Sequence, residues 1–185
     1  VSACEKGEQW VLALELFREM AKSRVERSIF TYSATVSACE KGRQWVWALL
    51  LLRDCADSRV ESDTMTYNAA LSACEKCEQW AWALDLFREM MNSRLESDTI
   101  TCNAVVSACE TGGEWQWALQ LFGEMEESRL EMNTIAYSKP LSACEKNGQW
   151  VQALWLFCEM AHRFVLRDAT AYKATVSTCE KSGEF

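Results

Sequence analysis

LSACEKCEQWAWALDLFREM, residues 71–90, is the stretch that decides the fold, because its words return along the chain at one fixed interval. Cysteine and tryptophan mark that interval of 35 residues in two columns: Cys4, Cys39, Cys74, Cys109, Cys144 and Cys179, and Trp10, Trp45, Trp80, Trp115 and Trp150. A fixed period of this length is typical of proteins built from stacked structural repeats. The repeating words extend over all 185 residues, so one unit describes the whole chain.

Each period predicts two helices. Apolar side chains in residues 80–90 are spaced by three and four positions, the stripe of an amphipathic helix: Trp80, Ala83, Leu84, Phe87 and Met90. Residues 66–76 are rich in small side chains, which suit a helix whose backbone lies close to its neighbours. A Ser-Asp-Thr step precedes the small-residue helix at residues 62–64 and 97–99, and it is an N-cap signal.

Glycine marks the breaks between these helices, and the one proline of the chain falls inside a predicted helix. Residues 41–44 read Lys-Gly-Arg-Gln and residues 111–114 read Thr-Gly-Gly-Glu, and we predict that Gly supplies the left-handed residue that stops each helix. Pro140 lies several residues into a helix that begins near Thr134, where proline removes a backbone donor. We therefore predict a kinked or late-starting helix at that place.

The predicted fold class is all-α, a right-handed α–α superhelix (solenoid) of two-helix repeats of 35 residues. Neither helix of a unit can bury its apolar face alone, so neighbouring units must stack. We predict a single array over residues 1–185, with partial repeats at 1–28 and 169–185 and complete repeats at 29–63, 64–98, 99–133 and 134–168. The sequence starts and stops inside the repeated motif, so we expect a fragment of a longer protein.

Charge and hydropathy exclude several classes of protein. The 19 Lys and Arg residues face 27 Asp and Glu residues, a net charge of -8, which argues against a general DNA coat or a basic membrane-surface module. The longest apolar run is residues 45–52, far shorter than the ~18 residues that a transmembrane helix needs. We therefore expect no membrane partner.

The cysteine columns are best explained as small apolar core residues. Cys74 and Cys77 form a C-x-x-C, but a zinc site needs two more ligands, and the chain has one histidine, His162. The sequence contains no phosphate-cradling Gly loop and no convincing nucleophile–base pair. We predict a protein that is not an enzyme, with no metal, no cofactor and no small-molecule substrate.

The wording of the repeats resembles the pentatricopeptide repeat family, P-type. Thr-Tyr-Asn-Ala at residues 66–69 and Ala-Leu-x-Leu-Phe-x-Glu-Met at residues 83–90 carry the resemblance, and Ser-Ala-Cys-Glu-Lys-Gly is similar to an algal variant. The resemblance implies single-stranded RNA binding, one nucleotide per repeat, in RNA processing, stability or translation in a chloroplast or mitochondrion. One departure is the absent linker proline, replaced by Ser62, Ser97, Met132 and Arg167.

The resemblance also implies which residues read bases. The four reading pairs are Ser33 with Asp63, Asn68 with Asp98, Asn103 with Asn133, and Ser138 with Asp168. By the family's code, Ser/Asp pairs resemble guanine readers, Asn/Asp a uracil reader and Asn/Asn a cytosine (or uracil) reader. The complete repeats are then expected to read 5′-G-U-(C/U)-G-3′. Lys173 occupies the reading place of the last partial unit, where no base is assigned.

Two further columns fit an RNA-binding groove. Apolar residues expected to sandwich bases are Phe30, Met65, Ile100 and Ile135. Lysines expected to meet phosphates are Lys6, Lys41, Lys76, Lys146 and Lys181, a column that Thr111 interrupts. Repeat 99–133 has a net charge of -5 and repeat 134–168 a net charge of +1, so we expect weak, salt-sensitive binding that is poorest at the third complete repeat.

Alternative interpretations remain open for each column. The terminal Asp and Asn residues are also helix caps, the Ser and Asn readers fit a solvated helix face, and the apolar column fits inter-repeat packing. Each lysine or its Thr111 substitute follows a glutamate, which largely cancels the local charge. The acidic surface and the extra Trp47, Trp82 and Trp117 favour a protein–protein interaction scaffold as the second candidate function. A third candidate is an enzyme whose catalytic part lies outside this sequence.

Overall fold

The computed structural model describes residues 9–23, 25–93, 95, 97–128, 130 and 132–182. All regular secondary structure in these residues is helical, as predicted. The helices are α1 (Trp10–Lys22), α2 (Ile29–Lys41), α3 (Trp45–Asp57), α4 (Thr64–Lys76), α5 (Trp80–Asn92), α6 (Thr99–Gly112), α7 (Trp115–Glu127), α8 (Thr134–Lys146), α9 (Trp150–His162) and α10 (Ala169–Ser182). Within the described ranges, no helix has both the length and the apolar composition that crossing a membrane requires.

The helices bury the side chains that the repeat pattern selects. In α5 the buried residues Ala83, Leu84, Phe87 and Met90 lie on the predicted stripe, whereas Leu86 is buried outside it and Trp80 is half-buried. The small-residue helices bury the cysteine column: Cys39, Cys74, Cys109 and Cys144 are fully buried, and Cys179 is almost so. The core-packing interpretation of these cysteines is therefore confirmed, whereas Cys4 lies outside the described residues.

The chain divides into two compact units, Val1–Ser97 and Asp98–Phe185. In the first unit α2 packs against α1, α3 and α4, and α4 also packs against α3 and α5. In the second unit α8 packs against α6, α7, α9 and α10, while α6 also packs against α7 and α9 against α10. Within each unit, a small-residue helix thus contacts its own partner helix and the next small-residue helix along the chain.

The glycine prediction for the turns is right at Gly113 and wrong at Gly42. Gly113 is left-handed with φ 78, whereas Gly42 has φ -78 and the left-handed residue of its turn is Arg43, with φ 54. Gly42 is small for another reason: a Cβ there would lie 2.2 Å from Cδ1 of Trp10. The close approach of Trp10, and not the backbone conformation, therefore requires glycine at position 42.

Pro140 does not delay its helix. α8 begins at Thr134 and has 13 residues, the same length as α4, so the expectation of a late start is wrong. The first turn is held independently of Pro140, because Oδ1 of Asn133 accepts a hydrogen bond from the backbone N–H of Ala136 at 3.1 Å. Proline in the helix interior removes one backbone donor, and here that loss leaves the start of the helix unchanged.

Candidate nucleic-acid interface

One large apolar side chain stands exposed at the second residue of four small-residue helices. The exposed fractions are 83% for Phe30, 72% for Met65, 68% for Ile100 and 59% for Ile135. Neighbouring helices therefore do not bury these side chains, and the inter-repeat packing interpretation is wrong. Within each unit, these exposed side chains offer apolar contacts to a planar group, and the aromatic ring of Phe30 can stack on one.

The predicted base-reading column lies one turn further along the same helices. Ser33, Asn68, Asn103 and Ser138 each follow the exposed apolar residue by three positions, which places both on one helix face. All four are half-buried, so a fully solvated face does not describe them. Oγ of Ser138 donates to the carbonyl of Ile135 at 2.9 Å, and Oδ1 of Asn103 is shielded without a hydrogen-bond partner among the described residues.

The predicted partner residues cap the helices that follow them. Oδ1 of Asp63 accepts from the backbone N–H of Thr66 at 2.8 Å and from its hydroxyl at 2.6 Å. Oδ1 of Asp168 accepts from the hydroxyl of Thr170 at 2.6 Å and from the N–H of Ala171 at 2.9 Å. These hydrogen bonds lower the pKa of Asp168, and the capping interpretation is confirmed for both residues.

Asp98 and Asn133 cap in the same way. Oδ1 of Asp98 accepts from the backbone N–H of Thr101 at 2.7 Å, and Oδ1 of Asn133 accepts from that of Ala136 at 3.1 Å. The cap uses the same atom, Oδ1, in all four partner residues. The Nδ2 amide of Asn133, like Oδ2 of Asp63, makes no hydrogen bond within the described part of the chain, so capping and recognition of a base are compatible.

Three of the four predicted pairs have their members on neighbouring, packed helices. Ser33 lies on α2 and Asp63 caps α4, and these two helices pack together. The same arrangement recurs twice in the second unit. Asn103 lies on α6 and Asn133 caps α8, and these two helices pack together. Ser138 lies on α8 and Asp168 caps α10, and these two helices also pack together. The remaining pair has one member in each unit: Asn68 lies on α4 of the first unit, and Asp98 caps α6 of the second.

Lysines of the column predicted to contact phosphates form ion pairs with glutamates of the preceding repeat. Nζ of Lys76 lies 2.6 Å from Oε1 of Glu40, which belongs to the preceding repeat. The contact recurs for Lys146 with Glu110 at 2.8 Å and for Lys181 with Glu145 at 3.8 Å. Lys41 is exposed at the end of α2, and Lys6 lies outside the described residues. A phosphate at this column therefore competes with a carboxylate for each paired lysine.

Sequence reasoning missed the glutamates as acceptors between repeats. Oγ of Ser72 donates to Glu40 at 3.0 Å, and Oγ of Ser142 donates to Glu110 at 2.8 Å. Burial of Glu110 acts to raise its pKa, but hydrogen bonds from Lys146 and Ser142 and the positive charges nearby outweigh burial, so the pKa of Glu110 is lowered. The sequence did contain a signal for these contacts: the interval from each glutamate to the lysine of its ion pair in the next repeat is one residue longer than the period.

Comparisons with known proteins agree with this geometry. The sequence model of the PPR repeat family matches residues 62–110. The sequence model of the PPR repeat matches residues 1–25, 100–130 and 141–163. Together these matches span more than half of the chain. No curated protein sequence matches it.

Solved structures match over nearly the whole chain. The pentatricopeptide repeat protein PPR10 from maize is 23% identical with a TM-score of 0.70, covering 99% of this chain and 26% of its own. PPR10 in complex with an 18-nt psaJ RNA element is 20% identical with a TM-score of 0.81, covering 98% and 27%. The PPR domain of Arabidopsis thaliana protein-only RNase P 1, in complex with tRNA, is 12% identical with a TM-score of 0.82, covering 96% and 94%. These likenesses confirm the α–α superhelix class of fold.

Proposed function

Because the chain belongs to the pentatricopeptide repeat family, we propose that it binds single-stranded RNA selectively, one nucleotide per repeat. The observation that carries the proposal is the column of exposed apolar side chains at Phe30, Met65, Ile100 and Ile135. Stacking of a base on an aromatic side chain such as Phe30 contributes ~1 to 3 kcal/mol, and the aliphatic members of the column offer apolar contact. PPR10 and the RNase P domain were both solved with RNA, which supports the same ligand class here. We place this activity in organellar RNA processing, stability or translation.

Base choice follows from hydrogen-bonding chemistry at the reading pairs. Guanine and uracil present N–H donors on their Watson–Crick edges, which suit the second carboxylate oxygen of Asp63 or Asp168. Cytosine presents an acceptor at the equivalent position, which suits the Nδ2 amide of Asn133. The short side chain of Ser33 leaves room for a purine, whereas the longer Asn68 suits a pyrimidine.

The third repeat is expected to contribute least to affinity. Its sequence has a net charge of -5, which opposes a polyanion, and Oδ1 of Asn103 is shielded from solvent. Contact between a base and that oxygen requires the amide to turn outward. We therefore expect discrimination to be sharpest at the first, second and fourth nucleotides.

A titration with short RNAs at two salt concentrations tests the proposal. An RNA containing G-U-C-G is expected to bind more tightly than a scrambled sequence of the same composition, and equal affinity at low salt would contradict base reading. Asn68→Ser reproduces the residue found at Ser33 and Ser138, so the variant should fold. It is expected to shift preference at the second nucleotide from pyrimidine to purine, whereas a uniform loss of binding would indicate a structural role.

The second candidate function, a protein-binding scaffold, is favoured by a groove in the first unit. The groove has a volume of about 570 Å³ between α3 and α5. Apolar side chains that include Trp45, Val46, Leu50 and Trp82 line it together with the charged Arg53, Asp57, Asp85 and Glu89. Leu50 is half exposed; the equivalent positions carry Glu15, Asp85 and Gln120 in three repeats and the half-exposed Trp155 in a fourth. Leu50→Glu is expected to leave RNA affinity unchanged under the first proposal, and to abolish binding of a protein partner under the second.

A further inference from the structure

Lys139 is an exception within an otherwise uniform column of the repeat. At the equivalent positions the chain carries alanine: Ala34, Ala69, Ala104 and Ala174. Lys139 directly follows Ser138, the predicted base reader of the fourth complete repeat. A long cation has thus replaced a methyl group beside a reading position.

The ammonium group of Lys139 is not neutralised by a carboxylate of its own. It lies 3.6 Å from Oε2 of Glu110, and the ammonium of Lys146 already lies 2.8 Å from Oε1 of the same residue. Oγ of Ser142 donates to Oε1 as well, at 2.8 Å. The side chain of Glu110 is 9% exposed, whereas those of Lys139 and Lys146 are 37% and 51% exposed.

The charge balance of this cluster differs from that of its counterpart in the first unit. Glu40 meets one lysine, Lys76, and the two charges cancel. Glu110 meets two lysines with one negative charge, so the cluster of Glu110, Lys139 and Lys146 retains one positive charge. That charge is on the accessible groups, because the carboxylate is the buried member. A phosphate diester carries the single negative charge that completes the neutralisation.

We propose that Lys139, together with Lys146, binds one backbone phosphate of the RNA between the nucleotides of the third and fourth complete repeats. The inference rests on the proposed function and adds to it an anchoring site absent from the repeat pattern. Glu110 acts as the positioning residue, since it holds both ammonium groups at one point on α8. The site supplies positive charge next to the repeat that is most acidic, which is where the polyanion is otherwise repelled.

The salt dependence of RNA binding tests the site. Lys139→Ala installs the residue of the other four copies, so the variant is expected to fold, with thermal unfolding as the check. For single strands the slope of log affinity against log salt changes by about 0.7 per phosphate neutralised. We expect Lys139→Ala to flatten the slope by about this amount, and Lys139→Arg, which keeps the charge, to leave it as in the wild type.

A neutral linkage in the RNA locates the contact. The probe is the G-U-C-G RNA with one methylphosphonate, placed between the third and fourth nucleotides or, as the control, between the first and second. The first RNA is expected to bind the wild type and Lys139→Ala equally, and the control RNA is expected to preserve their difference. A purely structural role for Lys139 does not predict this dependence on the position of the neutral linkage.

The outcomes separate the two proposals. If the wild-type chain selects G-U-C-G but Lys139→Ala has an unchanged slope, the phosphate site is overturned and base reading stands. If the slope flattens but the two methylphosphonate RNAs behave alike, the location of the site is wrong. If the wild type shows no sequence selectivity at low salt, the proposed function fails and this inference fails with it.

Discussion

Glu159 is hydrogen-bonded to Arg163 at 2.9 Å and not to Tyr137, the residue that the repeat pattern assigns to it. Two earlier repeats form the tyrosine bond at the same spacing, from Tyr32 to Asp54 at 2.7 Å and from Tyr67 to Glu89 at 3.3 Å. Arg163 stands where the first repeat has Ser58, which contacts the hydroxyl of Tyr32 at 3.2 Å. One substitution in the turn has therefore left the buried hydroxyl of Tyr137 without a partner among the described residues.

Removing the hydroxyl should lower the stability of the chain at Tyr32 but not at Tyr137. Tyr32→Phe deletes a satisfied hydrogen bond and is expected to lower the free energy of unfolding by about 1 kcal/mol. Tyr137→Phe removes a hydroxyl that has no hydrogen-bond partner among the described residues. This variant is expected to leave stability unchanged or raise it, because a buried hydroxyl without a partner is destabilising. Urea denaturation of both variants checks the pair. An equal loss of stability would contradict the assignment.

Two glycines offer a matched test of backbone and packing effects. Gly42→Ala places a Cβ against Trp10 and is expected to destabilise the chain by about 1 to 3 kcal/mol. Gly123→Ala lies inside α7 with no atom within 4 Å of the added Cβ, and is expected to stabilise by about 0.5 to 1 kcal/mol. Thermal unfolding measures both changes. Destabilisation by Gly123→Ala would show that the site has a packing role.

Capping and base reading can be separated at Asp98. Asn133 already caps the equivalent helix, so Asp98→Asn should keep the stability of the wild type, whereas Asp98→Ala should lose about 1 kcal/mol. Under the proposed code Asp98→Asn converts the second pair from a uracil reader to Asn/Asn, a cytosine (or uracil) reader, so its preference for uracil over cytosine is expected to weaken or reverse. Denaturation and RNA titration of the same two variants provide the readouts. Unchanged base preference in Asp98→Asn would remove this residue from the reading pair.

The contribution of Glu110 to stability should depend on pH. Its pKa is lowered in the folded state, so its charged form stabilises the fold above the unfolded pKa, about 4.3, and that contribution is lost as pH falls through the folded pKa. Glu110→Gln is therefore expected to be less stable than the wild type at pH 7, by about 1 kcal/mol given the partly exposed lysines. The difference should shrink below about pH 4. Urea denaturation at several pH values tests this, and a constant difference would contradict the ion-pair role.

Cysteine alkylation should follow burial and not the repeat. Burial raises the pKa of Cys39, Cys74 and Cys109 to about 12 and that of Cys144 to about 11, so their thiolates are scarce at neutral pH. Cys158 is exposed on α9 and should react first with iodoacetamide in the native protein. The four buried thiols should react only after denaturation. Mass spectrometry of the labelled peptides identifies the order, and early labelling of Cys74 would indicate local opening of α4.

Features that depend on residues close together in the chain were predictable from the sequence. The stripe Ala83, Leu84, Phe87 and Met90 follows from helix geometry, and Asp63 caps α4 because the donor is three residues away. The left-handed residue of the first turn was misplaced, at Gly42 instead of Arg43, because glycine was assigned to conformation when it was needed for the approach of Trp10.

By itself the sequence determined the period, the pair of helices in each repeat, the Asp and Asn caps and the buried cysteine column, because the same local pattern recurs from repeat to repeat. Only the tertiary structure decided how charges are shared between repeats. Glu40 is paired with one lysine and Glu110 with two. Which groups meet depends on side-chain reach and on competition for a single carboxylate between residues of successive repeats. A periodic pattern repeats positions, whereas electrostatic balance depends on the individual residues that occupy them.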